Sequence, residues 1–132
     1  MSVEEEILKE SRVIAVVGLS ANPERPSNSV ALYLKENGYK IIPVNPNEEV
    51  ILDETCYPDL SSIPGKVDVV DIFRRSEDVL PIAEEAVKIG TKAVWMQEGV
   101  VNEEAKDHAA KAGLKVVMDK CMLKEHQKLV DG

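Results

Sequence analysis

The sequence predicts an α/β fold: a doubly wound, five-stranded parallel sheet with helices on both faces, in three layers. Three observations predict it. Short apolar runs recur at residues 13–17, 40–44, 67–73, 92–96 and 114–118. They are continuous and rich in valine and isoleucine rather than alternating, as expected of strands buried on both faces. Between most of them lie segments with helical spacing and helix-ending glycines, and strand–helix alternation of this kind builds a parallel sheet with right-handed crossovers.

The elements follow in order. Ser2 or its neighbour caps a short helix carrying Glu4 to Lys9, which leads into the first strand. After Ser27, a helix over 29–36 carries Val30, Leu32, Tyr33 and Leu34, and Gly38 stops it. The stretch 48–66, with Pro58, Pro64 and Gly65, breaks the rhythm and reads as a short irregular excursion. Ser76, followed by Glu77 and Asp78, opens the next helix. Its apolar positions are Val79, Ile82, Ala83, Ala86 and Val87, and Gly90 ends it; Pro81 is tolerated near the first turn. Asn102 caps a third helix that stops before Gly113, and a last one runs from Cys121 to Leu129.

Bulk properties bound the function. A chain of 132 residues with 44% apolar content is expected to form one domain over 1–132. Its formal net charge of −8 argues against non-specific attraction to nucleic acid or an anionic membrane. No apolar run is long enough to span a bilayer, and the acidic start Met-Ser-Val-Glu-Glu-Glu lacks a secretion signal, so a cytoplasmic protein is expected. Cys56 and Cys121 have neither zinc spacing nor a disulfide framework and read as two reduced thiols.

In an open parallel sheet, ligands bind in the crevice beyond the carboxyl ends of the strands. Here those ends carry Gly18-Leu19-Ser20, Asn45-Pro46-Asn47, Arg74-Arg75-Ser76, Gln97-Glu98-Gly99 and Asp119-Lys120-Cys121. The first turn keeps one glycine, Gly18, of the dinucleotide-binding GxGxxG, and continues through Arg25-Pro26-Ser27. Two readings of this loop stand. Its N–H groups and Ser20, Ser27, Asn28 or Ser29 hold phosphate, or the loop ends in an ordinary Ser/Asn cap. A nicotinamide dinucleotide site places an acid about 20 residues on, to hold the ribose diol. The second strand ends instead in Asn45 and Pro46, and an amide-rich end tolerates a ribose phosphate that a carboxylate would repel. Arg25, Arg74, Arg75 and Lys120 put cations on this edge of an acidic chain, as an anion site requires; each alone also reads as a surface ion pair. Gln97 and Gly99 are placed to exchange hydrogen bonds with an amide-bearing chain, whereas Trp95 and Met96 read as packing.

Taken in order and spacing, these stretches resemble the small stand-alone CoA-binding proteins, whose fold is similar to the N-terminal CoA-binding domain of the succinyl-CoA synthetase alpha subunit. The resemblance runs from about Ser11 to Leu129. It rests on Val16-Val17-Gly18-Leu19-Ser20 with Pro26-Ser27, Ile42-Pro43-Val44-Asn45-Pro46-Asn47, Tyr57-Pro58-Asp59-Leu60 with Ile63-Pro64, Val67 through Arg74, Val94 through Gly99, and Asp119-Lys120-Cys121. It implies a Rossmann-like fold that binds coenzyme A. By that resemblance, Gly18, Ser20 and Ser27, with Arg25 and Pro26 beside them, would meet phosphate, and Asn45 and Pro46 the second-strand corner. Phe73, Arg74 and Arg75 would flank the adenosine or its phosphates, while Gln97, Gly99 and Lys120 would lie toward the far side of the crevice. The first loop departs from the synthetase pattern, which has a threonine and more glycines there.

The synthetase works through a phosphorylated histidine on another domain, and no counterpart of that domain is expected here. Its own His108 and His126 fall among polar residues in predicted helices. Glu98 and Asp119 read as capping or ion-pairing groups, with an acid/base pair as the other option. Cys121, beside Lys120 at the start of a helix, is placed as reactive thiols are, and is a candidate for a mixed disulfide with CoA. The leading expectation is a non-catalytic carrier, sensor or regulatory module for CoA or an acyl-CoA, with room for a protein partner. The alternatives are a CoA-dependent transferase or ligase component that needs a partner chain, and an NAD(H)-binding sensor.

Overall fold

The computed structural model describes residues 1–132. Strands β1 (Val13–Val17), β2 (Lys40–Val44), β5 (Val69–Ile72), β6 (Ala93–Met96) and β7 (Lys115–Val117) form one sheet in the order β2-β1-β5-β6-β7, with every pair parallel. The order reverses direction at β1, so the crevice opens between the ends of β1 and β5. Strand alternation divides the core. Ile14, Val16, Val69 and Trp95 face helices α1 (Val3–Glu10), α2 (Pro26–Glu36) and α5 (Met122–Asp131). Ala15, Val17, Val70, Ile72, Val94 and Met96 face α3 (Val79–Lys88) and α4 (Glu103–Lys111). The expected fold class is the one observed.

Capping chemistry sets most helix ends. Ser2 accepts from the Glu5 N–H at 3.1 Å and Asn102 from the Ala105 N–H at 2.9 Å. Other boundaries differ from expectation. The third, fourth and fifth strands are shorter than their apolar runs. The helix expected at 29–36 begins at Pro26, because proline at its first position is already set in helical φ and needs no N–H partner. Ser27 and Asn28 therefore lie inside the first turn, buried, and Leu32 turns to solvent. Before α3, Ser76–Asp78 form a 3-10 turn. The last helix starts one residue after Cys121 and reaches Asp131. The excursion at 48–66 contains a small hairpin, β3 (Val50–Ile51) and β4 (Glu54–Thr55), turned by Leu52 and Asp53 with φ of 54° and 63°, and a 3-10 turn at Leu60–Ser62.

Two packing details position the strand ends. Tyr57 clasps the outer edge of β2: its N–H donates to the Pro43 carbonyl at 3.0 Å and its carbonyl accepts from the Asn45 N–H at 2.9 Å. Trp95, fully buried, donates its indole N–H to the Lys120 carbonyl at 2.8 Å and so fixes the junction of β7 and α5. His126, placed by sequence among polar residues, is buried. Its Nδ1 pairs with the Tyr33 hydroxyl at 2.7 Å, and Tyr33 and Tyr39 pack edge-on against its ring. His108 is exposed.

Candidate functional site

A cleft of about 820 Å³ lies across the carboxyl ends of β1, β5, β6 and β7. That volume falls in the range of sites for nucleotide-sized ligands. Of the residues the sequence proposes for ligand binding, Gly18, Ser20, Arg25, Pro26, Ser27, Phe73, Arg74, Arg75 and Gln97 line it together. Val30, Asp78, Glu98, Val100 and Cys121 complete the wall.

The first loop is held by its own side chains. Ser27 Oγ accepts from the Ser20 N–H at 3.0 Å, Asn28 Nδ2 donates to the Ser20 carbonyl at 2.8 Å, and Ser20 Oγ accepts from the Asn22 N–H at 3.0 Å. Helix α2 has no side-chain cap, and its first residue, Pro26, has no N–H. The N–H of Ser27, at the second position, lacks an intrahelical partner and carries the positive end of the helix dipole. Gly18 adopts φ of 85°, and a Cβ there would run into the Phe73 carbonyl oxygen. The two strand ends therefore meet backbone to backbone, with Arg74 alongside.

Charges in the cleft divide cleanly. Arg75 is engaged by Asp78 at 3.0 Å and Glu77 at 3.3 Å, and Glu98 by Lys124 at 3.0 Å. Neither Arg25 nor Arg74 has an acidic partner among the ion pairs. The two uncommitted charges of the cleft are thus both guanidinium groups, placed on the β1 and β5 side.

The remaining four residues are not brought to this wall. Asn45 ties the end of β2 to the first loop: its Nδ2 donates to the Leu19 carbonyl at 2.9 Å and its Oδ1 accepts from the Asn47 N–H at 2.9 Å. Pro46 is exposed beside it. Gly99 donates its N–H to Asp119 Oδ1 at 2.7 Å. Lys120 pairs with Glu4 of α1 at 3.1 Å, and that bond raises its pKa. Cys121 contributes to the cleft wall as a free thiol, while Cys56 is buried, its thiol pushed up by desolvation. Glu98 and Asp119 are both engaged by other groups, in an ion pair and a backbone bond respectively.

Sequence reading missed Asp71. It lies in the middle of β5, fully buried, and its Oδ1 accepts from Gln97 Nε2 at 2.6 Å. Oδ2 has no partner. Desolvation pushes its pKa up to about 7, against the opposing bonds from Gln97 and the Ile72 backbone. The signal was available: an acid in the middle of a run whose neighbours on both faces are apolar.

Comparison with known proteins settles the family. A CoA binding domain matches residues 12–127. The chain belongs to this family. It is 42% identical over 121 residues to the uncharacterised protein YneT of Bacillus subtilis, covering 92% of this chain and 90% of that one. It is 34% identical over 98 residues to the ADP-forming acetate–CoA ligase II of Archaeoglobus fulgidus, covering 73% of this chain but 15% of the ligase. Among solved structures, a hypothetical protein from Pyrococcus horikoshii OT3 superposes with a TM-score of 0.94 at 42% identity, over 98% of this chain and 93% of that one. No helix is long and apolar enough to cross a membrane.

Two outcomes follow from this geometry. Gly18→Ala is expected to lower unfolding stability by about 3 kcal/mol, from the left-handed backbone plus the overlap with Phe73; an unchanged urea midpoint would show that the β5 end yields. Asp71 binds its proton more tightly folded than unfolded, so it lowers stability progressively from about pH 4 to the folded value of about 7. The stability of Asp71→Asn relative to the parent should therefore rise over that interval, by up to about 4 kcal/mol, and level off above it. A gap that does not change with pH in thermal melts would contradict this.

Proposed function

We propose that the cleft binds coenzyme A or an acyl-CoA, and that the chain works as a non-catalytic carrier, sensor or regulatory module. The observation that carries this reading is the pair of uncommitted arginines, Arg25 and Arg74, beside the Ser27 N–H at the start of α2. Guanidinium forks and a helix N-terminus both favour phosphate oxygens. In a chain of net charge −8, leaving two cations unpaired in one cleft suits a ligand that brings its own negative charge. Membership of the CoA binding family supplies the chemical class. The cleft contains neither a histidine nor a pair of free carboxylates for acid–base work.

A second reading has a specific observation behind it. The match to the acetate–CoA ligase favours a ligase-like component whose catalytic groups lie on another chain, since this chain spans about a seventh of that relative's length. The nicotinamide reading is disfavoured at the β2 corner, where Asn45 replaces the ribose-binding acid and is already committed to the chain's own backbone.

Titration calorimetry tests the proposal. CoA is expected to bind and to raise the melting temperature, and NAD to do neither. Saturating CoA without heat or thermal shift would overturn it. Arg74→Ala should weaken CoA by about tenfold, the loss of one charge-assisted hydrogen bond. Pantetheine, which lacks the phosphates, should lose little; equal losses for both would mean that Arg74 acts through folding.

A further inference from the structure

Gln97 faces two ways. It is 3% exposed, yet it forms part of the cleft wall. Its Nε2 is spent on Asp71 Oδ1 at 2.6 Å. Its Oε1 accepts no hydrogen bond from the protein, and it is not among the polar atoms sealed from solvent without a partner. An amide that donates inward presents its carbonyl outward. What fixes that sense is the partner, because an ionised carboxylate can only accept.

The position of Gln97 along the cleft gives this polarity a purpose. Arg25 and Arg74 stand on the β1 and β5 side, where the anionic part of a ligand belongs. At the β6 and β7 side the wall is Gln97, Glu98, Val100 and Cys121, and Glu98 is already neutralised by Lys124. No free cation lies there. A ligand anchored by its phosphates at one end therefore lays a neutral section across Gln97. In coenzyme A that section is the pantetheine arm, which carries two amide N–H groups.

We propose that Asp71 is a positioning residue for ligand specificity: by holding Gln97 Nε2, it turns the Gln97 carbonyl into the cleft as the acceptor for an amide N–H of the ligand's neutral arm. This rests on the CoA reading above. Asp71 lies beneath the wall and acts through Gln97. Its burial without a charged partner has a physical rationale on this account. Asparagine in its place could either accept from or donate to Gln97, and the amide would no longer be held in one sense. A buried carboxylate costs stability that an apolar residue would not; what it supplies, once ionised above its pKa of about 7, is an unambiguous acceptor that sets the next group's direction.

A double-mutant cycle tests this, with CoA affinity measured by calorimetry at pH 8, above the Asp71 pKa of about 7. Asp71→Asn should weaken CoA by about tenfold in the parent protein. In the Gln97→Met background the same substitution should cost under about twofold, because the group it positions is gone. ADP, which has the nucleotide and diphosphate without the arm, should bind parent and Asp71→Asn alike. Equal losses in both backgrounds, no loss in the parent, or an ADP loss matching that of CoA would each overturn the inference while leaving CoA binding intact. Failure of the parent to bind CoA would overturn the functional reading and this inference with it. A readout on the unmutated protein guards against variants that fail to fold. The side-chain amide protons of Gln97 should be protected from solvent exchange by NMR, and rapid exchange would overturn the assignment.

Discussion

The site depends on one close approach. The carboxyl ends of β1 and β5 come together so tightly at Gly18 and Phe73 that only a residue without a Cβ fits. That contact brings the first loop, the start of α2 and the Phe73-Arg74-Arg75 segment to one place. A side chain at position 18 would push the loop from the strand end and separate the groups on the two sides of the cleft. The parallel sheet supplies the crevice, but the missing Cβ lets its two sides close to backbone contact at the base.

Around that contact, the chain uses its side chains in two different ways. Ser20, Ser27, Asn28 and Asn45 are largely occupied with backbone groups and give the rim its shape. Arg25 and Arg74 are left without acidic partners. Shape is thus fixed by neutral groups and charge is left available; on the proposed reading, a ligand phosphate would meet donors that need not first break an ion pair. Lys120 and Arg75 are the opposite case: each lies near the same sheet edge, and each is already held by acids of the chain.

The fold was largely legible in the sequence, and the reason is local. Continuous Val/Ile runs mark strands covered on both sides, and Ser2, Asn102 and the helix-ending glycines mark where the chain changes element. What was illegible depended on tertiary context. The two-residue strands β3 and β4 carry no periodicity to read. Ser27 and Asn28 look like caps by residue type, yet Pro26 starts the helix one turn earlier and turns them inward. Nine of the residues named by the strand-end rule line a single crevice, because position on a parallel sheet decides where a strand end lies. It could not say which polar groups were committed elsewhere. Asn45 and Gly99 are bound to backbone or carboxylate neighbours, and Lys120 to a glutamate from the first helix, more than a hundred residues away in sequence. Asp71 and His126 escaped for a related reason: burial is a property of the whole packing, and a polar residue in a run does not announce its partner.

The clasp of Tyr57 on β2 reaches beyond the architecture. A parallel sheet ends in two bare margins, and such margins invite other chains to continue the ladder. Here one margin carries Pro43 and is bridged by Tyr57, while the other, β7, is only three residues long. Both are poor templates for the strand of another copy. The two sheet margins thus carry their own guard against edge-to-edge aggregation, one by a bridging loop and the other by brevity.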